Sequence, residues 1–189
     1  MDYALPILKE KNFSAVVFMV TGFIGKRAVW DVPFAGARYW HLNGPQLREL
    51  VAHGWEVGSH TVTHRALPWL NSGQLQWELE YSRITLMQLI GEPVESIAYP
   101  FGLVNSRVIK VVQHTGYRVG TGSPFWKNSK FGLLNLPRIP VFPWYRGKHI
   151  VQLLNGSFSL WQRSITAMVR WPAVFTPFYQ ALFRRHLWH

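Results

Sequence analysis

An α/β domain built on a parallel sheet is predicted by three features of the sequence. They are a buried-type strand near the N-terminus, helical stretches with apolar residues at 3.6-residue spacing, and short strand-like segments alternating with them. The run Ser14-Ala15-Val16-Val17-Phe18-Met19-Val20 is apolar, rich in β-branched residues and closed by Thr21-Gly22. That is the pattern of a parallel strand covered on both faces. Ahead of it lies a short amphipathic start carrying Leu5, Ile7 and Leu8.

The elements after this strand follow in order. A helix is predicted between Pro45 and Gly54, with Leu47, Leu50 and Val51 as its inward stripe. Trp55-Glu56-Val57 reads as a strand, followed by the loop Gly58 to His64. A longer helix spans Gly73 to Ile90 through Leu75, Leu79, Leu86 and Leu89, and ends at Gly91. A strand over Ser96 to Tyr99, a helix over Ser106 to Thr115 ended by Gly116, and a strand over Tyr117 to Gly120 continue the alternation. In such folds the site lies beyond the C-terminal ends of the strands. That rule singles out Thr21-Gly22, Gly58 to His64 and Pro100-Phe101-Gly102.

Composition narrows the chemistry. With no cysteine among 189 residues, a disulfide frame and a thiolate metal site are both excluded, so a transition metal would need imidazole and carboxylate ligands. The net charge of +11 is unevenly placed. Residues 1–95 hold 8 Lys and Arg against 9 acids, and residues 96–189 hold 12 against none. Such a surface attracts anionic partners, but the basic residues are spread singly among apolar ones beside no recognisable nucleic-acid module, so no nucleic acid is expected. From about Gly147 the chain is basic and aromatic, which predicts residues 1–146 as the main domain and 147–189 as a helical extension. That extension either covers the sheet or approaches an anionic membrane surface. No stretch is apolar for long enough to predict a spanning helix, and no signal peptide is visible at the N-terminus.

His60 and His64 stand four apart in a glycine-preceded loop after a strand. If a helical turn begins at Thr61, both imidazoles project to one side and can bind one ion; ordinary structural histidines fit the spacing equally well. A hydrolytic zinc site commonly adds a third protein ligand and leaves a position for water. Carboxylates are scarce here, since Asp2 and Asp31 are the only aspartates.

Neighbouring sequence supplies the missing specificity. Gly54-Trp55-Glu56-Val57-Gly58-Ser59-His60-Thr61-Val62-Thr63-His64 resembles the second signature of the polysaccharide deacetylases, the family 4 carbohydrate esterases acting on chitin, chitooligosaccharides and peptidoglycan. Ala98-Tyr99-Pro100-Phe101-Gly102 resembles their third signature. Tyr3 to Leu8 with Ser14 to Phe18, then Gly116-Tyr117 and Leu136 to Ile139, are similar in the same order, so the resemblance covers roughly residues 2 to 141.

The resemblance implies a distorted (β/α) barrel that hydrolyses N-acetyl, or sometimes O-acetyl, groups of a polysaccharide, in an extracytoplasmic or envelope setting. It implies a divalent metal, often zinc, held by one Asp and two His, with His60 and His64 as the matching histidines. It also implies the backbone N–H of Phe101 as an oxyanion donor, and Tyr99, Pro100, Phe101 and Gly102 as a substrate-binding loop. Ala98 stands where an orienting arginine is common, and Arg138 is the candidate replacement. His114 and His149 are candidates for the family's late histidine by position alone.

The first signature, Thr-Phe-Asp-Asp-Gly, is absent from these residues. Its aspartates would supply the third ligand and the general base, and Asp2, at a later and more variable position, takes neither role. The expectation is therefore a barrel without its first strand: a truncated deacetylase, weak or inactive alone, or a non-catalytic glycan-binding or membrane-surface protein. In the glycan-binding case Trp69, Trp126 or Trp144 would offer ring faces to sugars.

Overall fold

The computed structural model describes residues 1–27, 39–124, 131–139, 141 and 144–155. Trp126 and most of the extension expected over 147–189 lie outside them. Helix α1 spans Ala4–Glu10, and strand β1 follows over Val16–Met19. Then come α2 (Gly44–Ala52), β2 (Glu56–Ser59), α3 (Ser72–Ile90), β3 (Ser96–Ala98) and α4 (Ser106–Thr115). Strands β4 (Val119–Pro124) and β5 (Leu136–Arg138) and helix α5 (Gly147–Leu154) complete the order. Among the described residues no helix is long and apolar enough to cross a membrane.

The five strands form one sheet in the order β1-β2-β3-β4-β5, and every neighbouring pair is parallel. Because parallel crossovers are right-handed, a sheet that never reverses its order keeps its crossover helices on one side and curls as a barrel wall does. The sequence expectation of a parallel α/β fold holds. The helix-facing side carries Val57 and Ile97, packed with Leu47 of α2, Leu75, Leu79 and Leu86 of α3, and Val108 and Val112 of α4. Each leucine so buried contributes about 1.5–3 kcal/mol. The opposite, concave side holds a cavity of about 580 Å³ against Val16, Phe18, Ser96, Thr121 and Leu136.

Helix starts are set by asparagines. The side chains of Asn43 and Asn71 accept the N–H of Gln46 and Gln74, and those glutamines bond back to the asparagine N–H groups. These reciprocal caps start α2 and α3 one residue ahead of the predicted Pro45 and Gly73. Asn105 caps α4 through the N–H of Val108. The predicted strand at Tyr117 begins two residues later, at Val119. Tyr117 is instead buried under α3, where its hydroxyl donates to the Leu79 carbonyl oxygen at 3.0 Å.

Candidate metal centre

The three loops picked out by the strand-end rule meet at the C-terminal edge of the sheet. His60 follows β2 directly, and its N–H donates to the Met19 carbonyl at the end of β1, at 2.8 Å. The N–H of Thr21 donates to Thr61 O at 3.0 Å and that of Gly22 to Val62 O at 2.9 Å, which fastens the turn after β1 to the histidine loop. At Gly22 a Cβ would stand 2.7 Å from the Val62 oxygen, a backbone atom with little freedom to retreat. Gly22→Ala is expected to cost about 1–3 kcal/mol through this overpacking, read as a lower thermal midpoint.

The conformation of the histidine loop differs from the helical turn considered in the sequence. Thr61 (φ 68°) and His64 (φ 58°) are left-handed, and so is Phe101 (φ 58°) in the turn Pro100–Gly102 after β3. Among the described residues only Asn12 is another non-glycine with positive φ. Each such residue costs on the order of 1–3 kcal/mol, and such strain concentrates where a site needs it. Local bonds hold it in place: Thr61 N–H to Ser59 Oγ at 3.1 Å, and His64 N–H to Thr61 Oγ1 at 3.1 Å.

The result is a converging imidazole pair. His60 Nε2 and His64 Nε2 are 3.0 Å apart. His60 Nδ1 lies 2.6 Å from the Ala98 carbonyl, an acceptor, so Nδ1 carries the proton and the Nε2 lone pair faces His64. The Phe101 ring meets His64 edge to face at 4.7 Å between centroids. Burial above all, and then the nearby Arg138 charge, lower the His60 pKa to about 4 against the opposing pull of the Ala98 bond. His64 is lowered by burial, then by the charges of His60 and His41. Both rings are therefore neutral at neutral pH, the form that binds metal.

Two nitrogens that each approach one tetrahedral ion at about 2.0–2.1 Å stand roughly 3.3 Å apart, close to the separation seen here. The pair therefore fits the imidazole half of a divalent metal centre. Among the described residues no group of three His, Cys, Asp or Glu is placed to hold an ion, so the candidate ligand set is this imidazole pair.

The remaining sequence candidates fall on either side of this rim. Arg138 ends β5 close enough for its charge to act on His60. Pro100, Phe101 and Gly102 form the turn facing the histidines. Tyr99 is fully buried and its hydroxyl donates to the Leu134 carbonyl at 2.6 Å, so its side chain supports the loop from beneath and is closed to a substrate. His114 lies in the last turn of α4, toward the opposite end of the sheet, and the His149 ring accepts the Arg146 N–H as part of the cap of α5. Trp69 and Trp144 are about half exposed.

Residues that carry no sequence motif also shape the site and escape a reading by signature. His41 brings a third imidazole toward His64. Glu78 and Ser82 of α3 bond to the histidine loop. They stand four apart on the same stripe as Leu75, Leu79 and Leu86, and polar residues on an inward stripe are the signal that could have found them.

Residues 1–120 match the family model described as polysaccharide deacetylase. YxkH of Bacillus subtilis, whose name assigns it provisionally to the polysaccharide deacetylases, is 30% identical over 145 residues, 76% of this chain and 48% of its own. The poly-beta-1,6-N-acetyl-D-glucosamine N-deacetylase of Staphylococcus aureus is 26% identical over 128 residues, 63% of this chain and 42% of its own. The chain thus spans about half the length of the curated relatives it matches. Among solved structures, the Streptococcus pyogenes deacetylase PplD in complex with acetate superposes with a TM-score of 0.67 at 24% identity, over 80% of this chain and 63% of that one.

Proposed function

Since the chain belongs to the polysaccharide deacetylase family, we propose that its histidine pair serves the metal-dependent hydrolysis of acetyl groups on a polysaccharide, with N-acetylated glucosamine polymers as the first substrates to test. The observation that carries this reading is the 3.0 Å approach of two neutral Nε2 atoms, braced on Ala98 and Phe101 at the sheet's C-terminal edge. The named activity of the staphylococcal relative supports the choice of an N-acetyl substrate.

His60 and His64 would hold a divalent ion, zinc in the first instance. Bound there, it would supply Lewis-acid polarisation of the acetyl carbonyl and acidify a water molecule. The chain's own residues contribute the rest. The Ala98 carbonyl fixes the His60 tautomer, so a lone pair and not a proton points into the site. The backbone N–H of Phe101, in the left-handed turn after β3, would stabilise a developing oxyanion. Arg138 adds positive charge that favours an anionic transition state and opposes protonation of His60.

A general base is the component still to be supplied, and an aspartate of the kind carried by the family's first signature would fill it. Acetate release from N-acetylglucosamine oligomers tests the proposal. Residues 1–189 with Zn²⁺ are expected to be slow or silent. The same residues joined to an N-terminal strand bearing the Asp-Asp-Gly signature are expected to release acetate in a His60-dependent manner. Release that survives His60→Ala would exclude the reading. The small number of ligands among the described residues favours a second reading, a glycan-binding protein without hydrolysis. Oligomer binding with no acetate from either form would establish it.

A further inference from the structure

Glu78 takes no part in the chemistry above, yet it is 1% exposed on a helix face otherwise given to leucines and Ser82. A carboxylate so placed is costly unless its oxygens are bonded. Among the described residues no lysine or arginine pairs with it. Its bonds all go to the histidine loop: Oε2 accepts the N–H of Val62 at 2.8 Å and of Thr63 at 3.0 Å, and Oε1 accepts the Thr63 hydroxyl. One turn further along α3, Ser82 Oγ meets Ser59 Oγ at 2.8 Å, and Ser59 Oγ in turn accepts the Thr61 N–H. Two side chains of one helix face therefore grip the loop on both sides of its first left-handed residue.

We propose that Glu78 is a positioning residue for the metal centre: its carboxylate holds Val62 and Thr63 so that the strained loop presents His64 Nε2 to His60 Nε2. The inference rests on the metal-site reading of the pair. Its physical basis is the conflict between conformation and preference. Thr61, a β-branched residue, and His64 both sit in a region that L-residues avoid, and they stay there only while neighbouring bonds over-determine them. Without the carboxylate, two buried N–H groups lose their acceptor, and residues 61–64 gain by relaxing toward an ordinary turn. His60 is tied separately to Met19 and Ala98, so relaxation displaces His64 relative to a fixed partner.

The test compares Glu78→Ala, Glu78→Gln and Leu86→Ala in the full chain. Zn²⁺ affinity is measured by competition with a chromophoric chelator, and amide hydrogen exchange at Val62 and Thr63 is followed without metal. Glu78→Ala is expected to weaken Zn²⁺ binding about 10- to 100-fold, the range seen when groups that orient metal ligands are removed, and to speed exchange at both amides. Glu78→Gln should recover most of the affinity, because its amide oxygen can accept both N–H groups. Leu86→Ala, in the same helix but away from the loop, should lower the melting temperature and leave the affinity unchanged. If Glu78→Ala does not fold, Glu78→Asp, too short to reach both amides, takes its place with the same expected loss.

Wild-type affinity and exchange in Glu78→Ala would overturn the proposal. So would an equal loss of affinity in Leu86→Ala, which would reduce Glu78 to general stability. If the unaltered chain binds no Zn²⁺, the metal reading fails separately and exchange alone decides: unchanged protection of Val62 and Thr63 ends the inference, and faster exchange upholds Glu78 as the anchor of the loop.

Discussion

Alanine at either His60 or His64 is expected to lower Zn²⁺ affinity by more than about 100-fold, beyond the loss that follows when only a supporting residue is removed. The two rings face each other at 3.0 Å, and among the described residues no third ligand compensates. A single imidazole with solvent in the remaining positions is a poor site, whereas two converging imidazoles share the cost of dehydrating the ion. The substitutions are not equivalent in their side effects. His60→Ala also leaves the Ala98 carbonyl without its partner, and His64→Ala removes a buried ring packed on Phe101. Calorimetric titration of the metal-free chain with Zn²⁺ measures both. Unchanged affinity in either variant would show that the ion, if one binds, sits elsewhere.

How much of the molecule can be read from its sequence depends on the range of the interaction involved. The β-branched run at 16–19 and the leucine spacing of α3 are local patterns tied directly to burial, so these elements are legible in the residues themselves. Their meeting point is legible too, because parallel strands bring their C-terminal loops to one edge. His60 and His64 are visible as a pair, but not how they converge. That depends on left-handed φ at Thr61 and His64, enforced by Glu78 and Ser82 from a helix further along the chain. Tyr99 shows the same limit. Its place in a signature implies contact with substrate, while the alternation of β3 sends its side chain under β4 to bond Leu134. Arg138 is only a candidate by position, and its influence on His60 arises from the sheet order, which sets β5 two strands beyond β3.

Acid is expected to destabilise the metal-free chain well above the pH at which carboxylates protonate. Burial, followed by the Arg138 charge, lowers His60 from 6.5 to about 4, and burial with the charges of His60 and His41 lowers His64. As pH falls through 6.5, an unfolded chain takes up a proton on each of these histidines while the folded chain does not. The unfolded state then binds more protons, so stability falls with pH. The contribution is fully present above pH 6.5, declines between there and about 4, and levels off for His60 once the folded ring protonates too. The interval from 6.5 to about 4 corresponds to roughly 3 kcal/mol for His60, at about 1.4 kcal/mol per pH unit. Urea midpoints measured with chelator from pH 7.5 to 4.5 should fall across this window, and His60→Ala should flatten the decline. A midpoint independent of pH in the unaltered chain would mean that these imidazoles are charged or exposed in the folded state. The same lowered values bear on the metal: at pH 5.5 an exposed histidine pair is mostly protonated and closed to an ion, whereas this pair stays neutral, with the His60 Nε2 lone pair free of a proton. Acid destabilisation of the metal-free chain and acid-resistant metal binding thus share one cause, the burial of two neutral imidazoles at the end of β2.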